Sequence, residues 1–183
     1  MSVRPPVLAV LLALLGAGCA AMANTAASTE ASTPPRPGEA VVLRLHPCTD
    51  RTGTQGRDLG AEATKALQTR LAAAGLRTDE SGPYEIACDV TGFSEGSALK
   101  RWLVPGWGAT AGQVAVMVTD RRTGQIAIII RSNASIAAGG LYTIGADTYI
   151  LDAAVNDVVK QLQDWANGKP PATSALPPRS QPT

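Results

Sequence analysis

QVAVMVTDRRTGQIAIIIR, from Gln113 to Arg131, consists of two apolar runs around a short polar break. Val114, Val116 and Val118 alternate in the first run, and Ile126, Ile128 and Ile130 alternate in the second. Side chains branched at Cβ favour strands, and a period of two puts all six on one face. The break, DRRTG, has the chemistry of a tight turn. Asp120 suits the first position of a type I turn, where its carboxylate can accept from backbone N–H groups ahead of it. Gly124 suits the left-handed position from which the second strand restarts. The stretch therefore predicts a β-hairpin with one face to bury. The opposite face would carry Ala115, Met117, Thr119, Gln125, Ala127 and Ile129. It is more apolar than a solvated face requires, which suits either a partner surface or small residues under a loop.

On either side of the hairpin, the chain supplies an amphipathic helix to cover it. Leu59, Ala63, Leu67 and Leu71 recur every four residues, so Asp58 to Ala74 reads as a helix. Gly75 follows as its left-handed end, and Leu76 falls where a Schellman motif would fold it back onto Leu71. After the hairpin, Asp147 or Thr148 caps a helix whose buried stripe is Leu151, Ala154 or Val155, Val158, Leu162 and Trp165. Gly168 and Pro170 stop it. Val41 to His46 and Tyr84 to Phe93 alternate as further strands, and Leu76 to Asp79 allows a short parallel edge strand. The expected fold is α+β, in the order β-α-β-β-β-α. It is a two-layer sandwich in which two helices cover one face of a mainly antiparallel sheet of four to five strands.

The ends of the chain differ from its middle. Arg4, an apolar run from Val7 to Leu15, and Gly16-Ala17-Gly18-Cys19 have the pattern of a signal peptide followed by a cysteine. The run is too short to span a bilayer, which takes about 20 apolar residues. Small residues ahead of the cysteine resemble the lipobox of bacterial lipoproteins. That resemblance implies cleavage after residue 18 and acylation of Cys19 with palmitate-like chains. Ala20 in the next position implies the outer membrane. Residues 19–40 are small, polar and Pro-containing, and read as a flexible tether. Residues 41–167 form the domain, and residues 168–183 a disordered Pro-rich tail.

Chemistry is scarce. With 16 basic and 15 acidic residues, the net charge of +1 gives no electrostatic case for nucleic acid, and 4% aromatic content leaves no base-stacking platform. His46, Cys48 and Asp50 could share one strand face, but a metal site or a nucleophile–base pair needs ligands that the rest of the chain lacks. Cofactors are therefore not expected, nor is catalysis. Strand parity places Cys48 and Cys88 on opposite faces, which argues against a disulfide unless a bulge near Pro47 reorients Cys48. Asp152, Asp157 and Asp164 read as a solvated helix face. Residues 53–60, GTQGRDLG, lack the lysine of a phosphate loop and read as a mobile loop. The exception is Lys100-Arg101-Trp102 with Trp107 in a long glycine-rich connection. Two Trp and two basic residues there suit a partner-binding surface, and packing of both rings over the core is the plainer alternative.

Together the lipobox, the early strand ending near Pro47 and Asp50, the Arg101…Gly106-x-Gly108 loop, the Asp120–Gly124 turn and Gly139-Gly140 resemble the domain of unknown function 4410 family. These are small bacterial envelope lipoproteins, and the resemblance covers about residues 41–166. It implies a tethered periplasmic α+β module with no established activity. The order of elements is more distantly similar to the small domain in front of the Tol-system β-propeller and to curli-secretion lipoproteins. The expected function is a non-enzymatic interaction or assembly module at the periplasmic face of the outer membrane. It would hold the membrane through its lipid and meet an envelope protein or another copy of itself. The alternative is an oligomerising subunit of a secretion pore or ring.

Overall fold

The computed structural model describes residues 23–96, 109–136 and 146–170. Among the described residues, seven strands and two helices follow in the order β1 (Asn24–Ser32), β2 (Val42–Leu45), β3 (Thr49–Asp50), α1 (Leu59–Ala73), β4 (Arg77–Thr78), β5 (Tyr84–Ser94), β6 (Thr110–Asp120), β7 (Gln125–Ile136) and α2 (Ala146–Ala166). The strands form one mixed sheet in the spatial order β1-β7-β6-β5-β2-β4, with β3 also pairing β5. β1, β7, β6 and β5 pair antiparallel, whereas β2, β3 and β4 join in parallel. The α+β class and the two helices agree with expectation. The sheet is larger and less antiparallel than expected.

The hairpin forms as its turn chemistry dictates. Thr123 N and Gly124 N both donate to Asp120 O, at 3.2 and 2.7 Å, and Arg122 N donates to Asp120 Oδ1 at 2.9 Å. Gly124 has φ +70°. Val114, Val116, Val118, Ile128 and Ile130 are buried under the helices. Ile126 is not, because β7 holds one residue more than β6 near the turn. Val118 pairs Ile128, but Thr119 pairs Ile126. Ala127 is thus the bulged residue, and its carbonyl accepts from Thr33 N at 2.7 Å. The bulge reverses two assignments made by simple alternation: Ala127 is buried at 5% exposure, and Ile126 faces outward at 44%.

Helix α1 starts at its Asp58 cap, whose carboxylate accepts from Ala61 N at 2.8 Å. It ends in the expected Schellman motif, with Leu76 N donating to Leu71 O and Gly75 N to Ala72 O. Leu59, Ala63, Leu67 and Leu71 are all buried. Gly60 lets the first turn come close to the strand beneath, since a Cβ there would stand 2.5 Å from Cys48 O. In α2, Ile150, Leu151, Ala154, Val155, Val158, Leu162 and Trp165 line the core. The acids of α2 are not a free solvated face. Asp152 pairs Arg70 on α1, Asp157 accepts from buried Ser132, and Asp164 pairs Lys169.

Residues 24–32 were expected within a flexible tether, and instead they form the edge strand β1. NTAASTEAS has too little apolar surface to bury on its own account. What holds it is backbone pairing along β7, the burial of Ala27, and the Trp165 indole, which donates to Thr33 O at 2.8 Å. The tail from residue 171 lies outside the described residues.

Candidate functional site

Cys19, Lys100, Arg101, Trp102 and Trp107 lie outside the described residues. The described sites of interest are the His46–Asp50 segment and the sheet face turned away from the helices.

The first segment is structural. Cys48 and Cys88 are joined by a disulfide, which corrects the parity argument against it. The reason is a second bulge. Leu45 pairs Ile86 and Thr49 pairs Asp89, so three residues, 46–48, lie opposite two, 87 and 88. The extra residue, beside Pro47, turns Cys48 to the buried face that Cys88 occupies, and both are buried, at 7% and 3% exposure. Cys48 N is held by Thr64 Oγ1 at 2.8 Å, which ties the bulge to α1. Asp50 closes its own turn: bonds from Thr52 N and then Thr52 Oγ1 lower its pKa. His46 Nε2 is 2.9 Å from Glu85 Oε1 on the opposite face. The three residues do not converge on one point. Among the described residues, no three His, Cys, Asp or Glu side chains gather in a way that could hold a metal ion.

The loop before α1 is likewise built into the fold. Arg57 bonds Glu62 through two nitrogens, at 3.1 and 2.6 Å, and reaches Asp147 Oδ2 at 3.2 Å across to α2. Its guanidinium lies 4.8 Å from the centre of the Phe93 ring. The Glu62 hydrogen bond, foremost, raises the Arg57 pKa further. Arg57 thereby fastens the first turns of both helices to the end of β5.

The second site is the bare sheet face. Ala87 pairs Met117 and Met117 pairs Ile129, giving an apolar row across three strands. Met117 is 38% exposed. Ile126, displaced by the bulge, adds to the row from the turn side. Charged pairs border it: Arg121 with Glu85 at 3.6 Å, Arg51 with Asp89 at 3.0 Å, and Arg131 with Glu30 at 2.7 Å. Glu85, Ala87, Met117, Thr119 and Arg121 line a shallow depression of about 290 Å³ on this face. Among the described residues, no element covers it. Apolar residues ringed by charges, on a face too flat to enclose a small molecule, suit contact with another macromolecule.

A family model described as a domain of unknown function, DUF4410, matches residues 22–140. The chain belongs to the DUF4410 family. The matched region begins ahead of β1, so that strand is part of the family's domain and not an accessory leader. No curated protein matches the chain. Among solved structures, PelC from Paraburkholderia phytofirmans, described as a dodecamer, is similar with a TM-score of 0.51. Its identity is 16%, over 76% of this chain and 98% of that one. The hypothetical protein CT253 from Chlamydia trachomatis also gives a TM-score of 0.51, with 12% identity over 70% and 99% of the two chains. At such identities the likeness is one of fold.

Simple alternation places Ala127 on the bare face and Ile126 inside, and the bulge exchanges them. The sequence holds a faint sign of the bulge, in that a single Ala interrupts a run of isoleucines beside the turn.

Proposed function

We propose that this member of the DUF4410 family is a lipid-anchored module of the bacterial envelope that works by association with another protein. Cys19 would hold it at the periplasmic face of the outer membrane. The observation that carries the association is the half-covered sheet, whose bare face presents the row from Ala87 to Ile129 between bordering ion pairs. The Cys48–Cys88 disulfide supports an oxidising compartment, where such bonds persist. The lipobox-like Gly16-Ala17-Gly18-Cys19 supports the anchor.

Lys100, Arg101, Trp102 and Trp107 are assigned to the same partner. In sequence they fall between the end of β5 at Ser94 and the start of β6 at Thr110. A second reading is that the partner is another copy of the chain, forming a ring or pore. The description of PelC as a dodecamer favours it.

Extraction of the full-length protein in mild detergent tests both readings. Wild type should carry labelled palmitate and co-purify with envelope proteins or with further copies of itself. Cys19→Ser should lose the label. Trp107→Ala should keep its melting temperature and lose co-purifying protein. A labelled wild type that elutes alone as a monomer refutes the association. Label retained in Cys19→Ser refutes the anchor.

A further inference from the structure

The register of β1 fixes where the lipid anchor meets the fold. Asn24 pairs Ser135, Ser135 pairs Ala111, and Ala111 pairs Ser94, one row across four strands at one end of the sheet. Cys19 precedes Asn24 by five residues (24 − 19). Even fully extended, five residues reach about 17 Å. A tether running to residue 40 would instead behave as a coil with an r.m.s. span of about 25 Å and leave the domain free to tumble.

Both helices begin at this same end, where Arg57 joins Asp147 and stacks on Phe93. Both finish at the other end, where Trp165 meets Tyr84 edge-on at 5.3 Å and Gln163 donates to Ala74 O. Along β6, Ala111 to Asp120 spans nine steps, about 30 Å at the usual rise. The molecule thus has an anchor-proximal end and a distal end, the latter carrying the Asp120–Gly124 turn and Gly168. The connections that follow β5 after Ser94 and β7 after Ile136 both depart from the proximal end.

We infer that the short span from Cys19 to β1 stands the sheet on its Asn24–Ser135–Ala111–Ser94 end against the lipid surface, with the bare face turned sideways. This rests on the proposed lipidation of Cys19. Lying on the bare face would be less favourable. It would press the exposed pairs Arg131–Glu30, Arg51–Asp89 and Arg121–Glu85 into the headgroups and strip them of water. Upright, that face keeps its charges hydrated. Its apolar row, at Met117, then stands six strand residues, about 20 Å, above the Ala111 row. The partner it can reach is one standing beside it on the same membrane.

Energy transfer to the bilayer tests the orientation. Full-length lipoprotein is reconstituted into phosphatidylethanolamine–phosphatidylglycerol vesicles carrying a headgroup acceptor. A donor is attached through Ser94→Cys or Asn133→Cys near the proximal end, Met117→Cys midway, and Thr123→Cys or Asn167→Cys at the distal end. Donor emission should be mostly lost at the proximal positions, partly lost at Met117, and largely kept at the distal ones. Greatest loss at Met117 would mean that the molecule lies on its bare face, and equal losses that it tumbles. Either result overturns the inference while leaving the anchor intact. Protein that fails to float with the vesicles refutes the anchor, and the orientation falls with it.

Discussion

Removing the Cys48–Cys88 disulfide is the perturbation whose size follows most directly from the structure. The bond closes a loop with a sequence separation of 40. Constraining a loop of that length lowers the entropy of the unfolded chain by about 13 cal/mol/K, or about 3.9 kcal/mol at 25 °C. That is a large share of the 5–15 kcal/mol that typically holds a domain of this size together. For about 130 folded residues, unfolding entropy near the midpoint is about 0.27 kcal/mol/K, so the melting temperature should fall by about 14 °C. The double variant Cys48→Ala/Cys88→Ala, in a chain starting at Ala20, would be compared with wild type by calorimetry, with and without reductant. Reduced wild type should melt with the variant, and the variant should ignore the reductant. The loss should also be local. The amide of Arg51, which donates to Val90 O at 3.0 Å just past the bridge, should exchange faster, while the amides in the middle of β6 change less. A variant melting with oxidised wild type would refute the reasoning. It would mean that the contacts of Cys48 with Thr64 and of β3 with β5 fix the bulge unaided.

Two further outcomes follow from the hairpin. Ile128→Ala empties a fully buried position and should cost about 2–5 kcal/mol, whereas Ile126→Ala and Thr119→Ala, on the bare face, should cost well under half of that in chemical denaturation. Equal losses at Ile126 and Ile128 would remove the bulge at Ala127. In acid, hydrogen bonding from the Arg122 side chain, foremost, lowers the Asp120 pKa from its ordinary value to about 2. Because the folded value lies below the unfolded one of about 3.9, this stabilisation is present above pH ~4 and is lost as the pH falls toward 2. Between those limits wild type should lose melting temperature more steeply than Asp120→Asn. Parallel slopes would mean that the Arg122 bonds survive protonation.

What the sequence determined by itself was whatever a short window encodes. The DRRTG turn, the Asp58 cap, the Schellman end at Gly75–Leu76 and the four-residue stripes of α1 and α2 each depend on residues a few positions apart. Their physics is complete before the chain folds. Much of the proposed site also began as composition: two Trp beside two basic residues, and small residues ahead of a cysteine. The tertiary structure decided everything that turns on register. One extra residue near Pro47 brings Cys48 to Cys88, and one at Ala127 turns Ile126 out to the bare face. Period-two reasoning cannot register either, since a bulge changes which face follows without changing which residues are apolar. β1 is the extreme case. Its side chains are small and mostly polar, and its place in the sheet comes from backbone hydrogen bonds to β7 about a hundred residues further along the chain. Backbone groups are the same in every sequence, so only the open edge of β7 could select that segment, and with it the end of the sheet at which Asn24 enters.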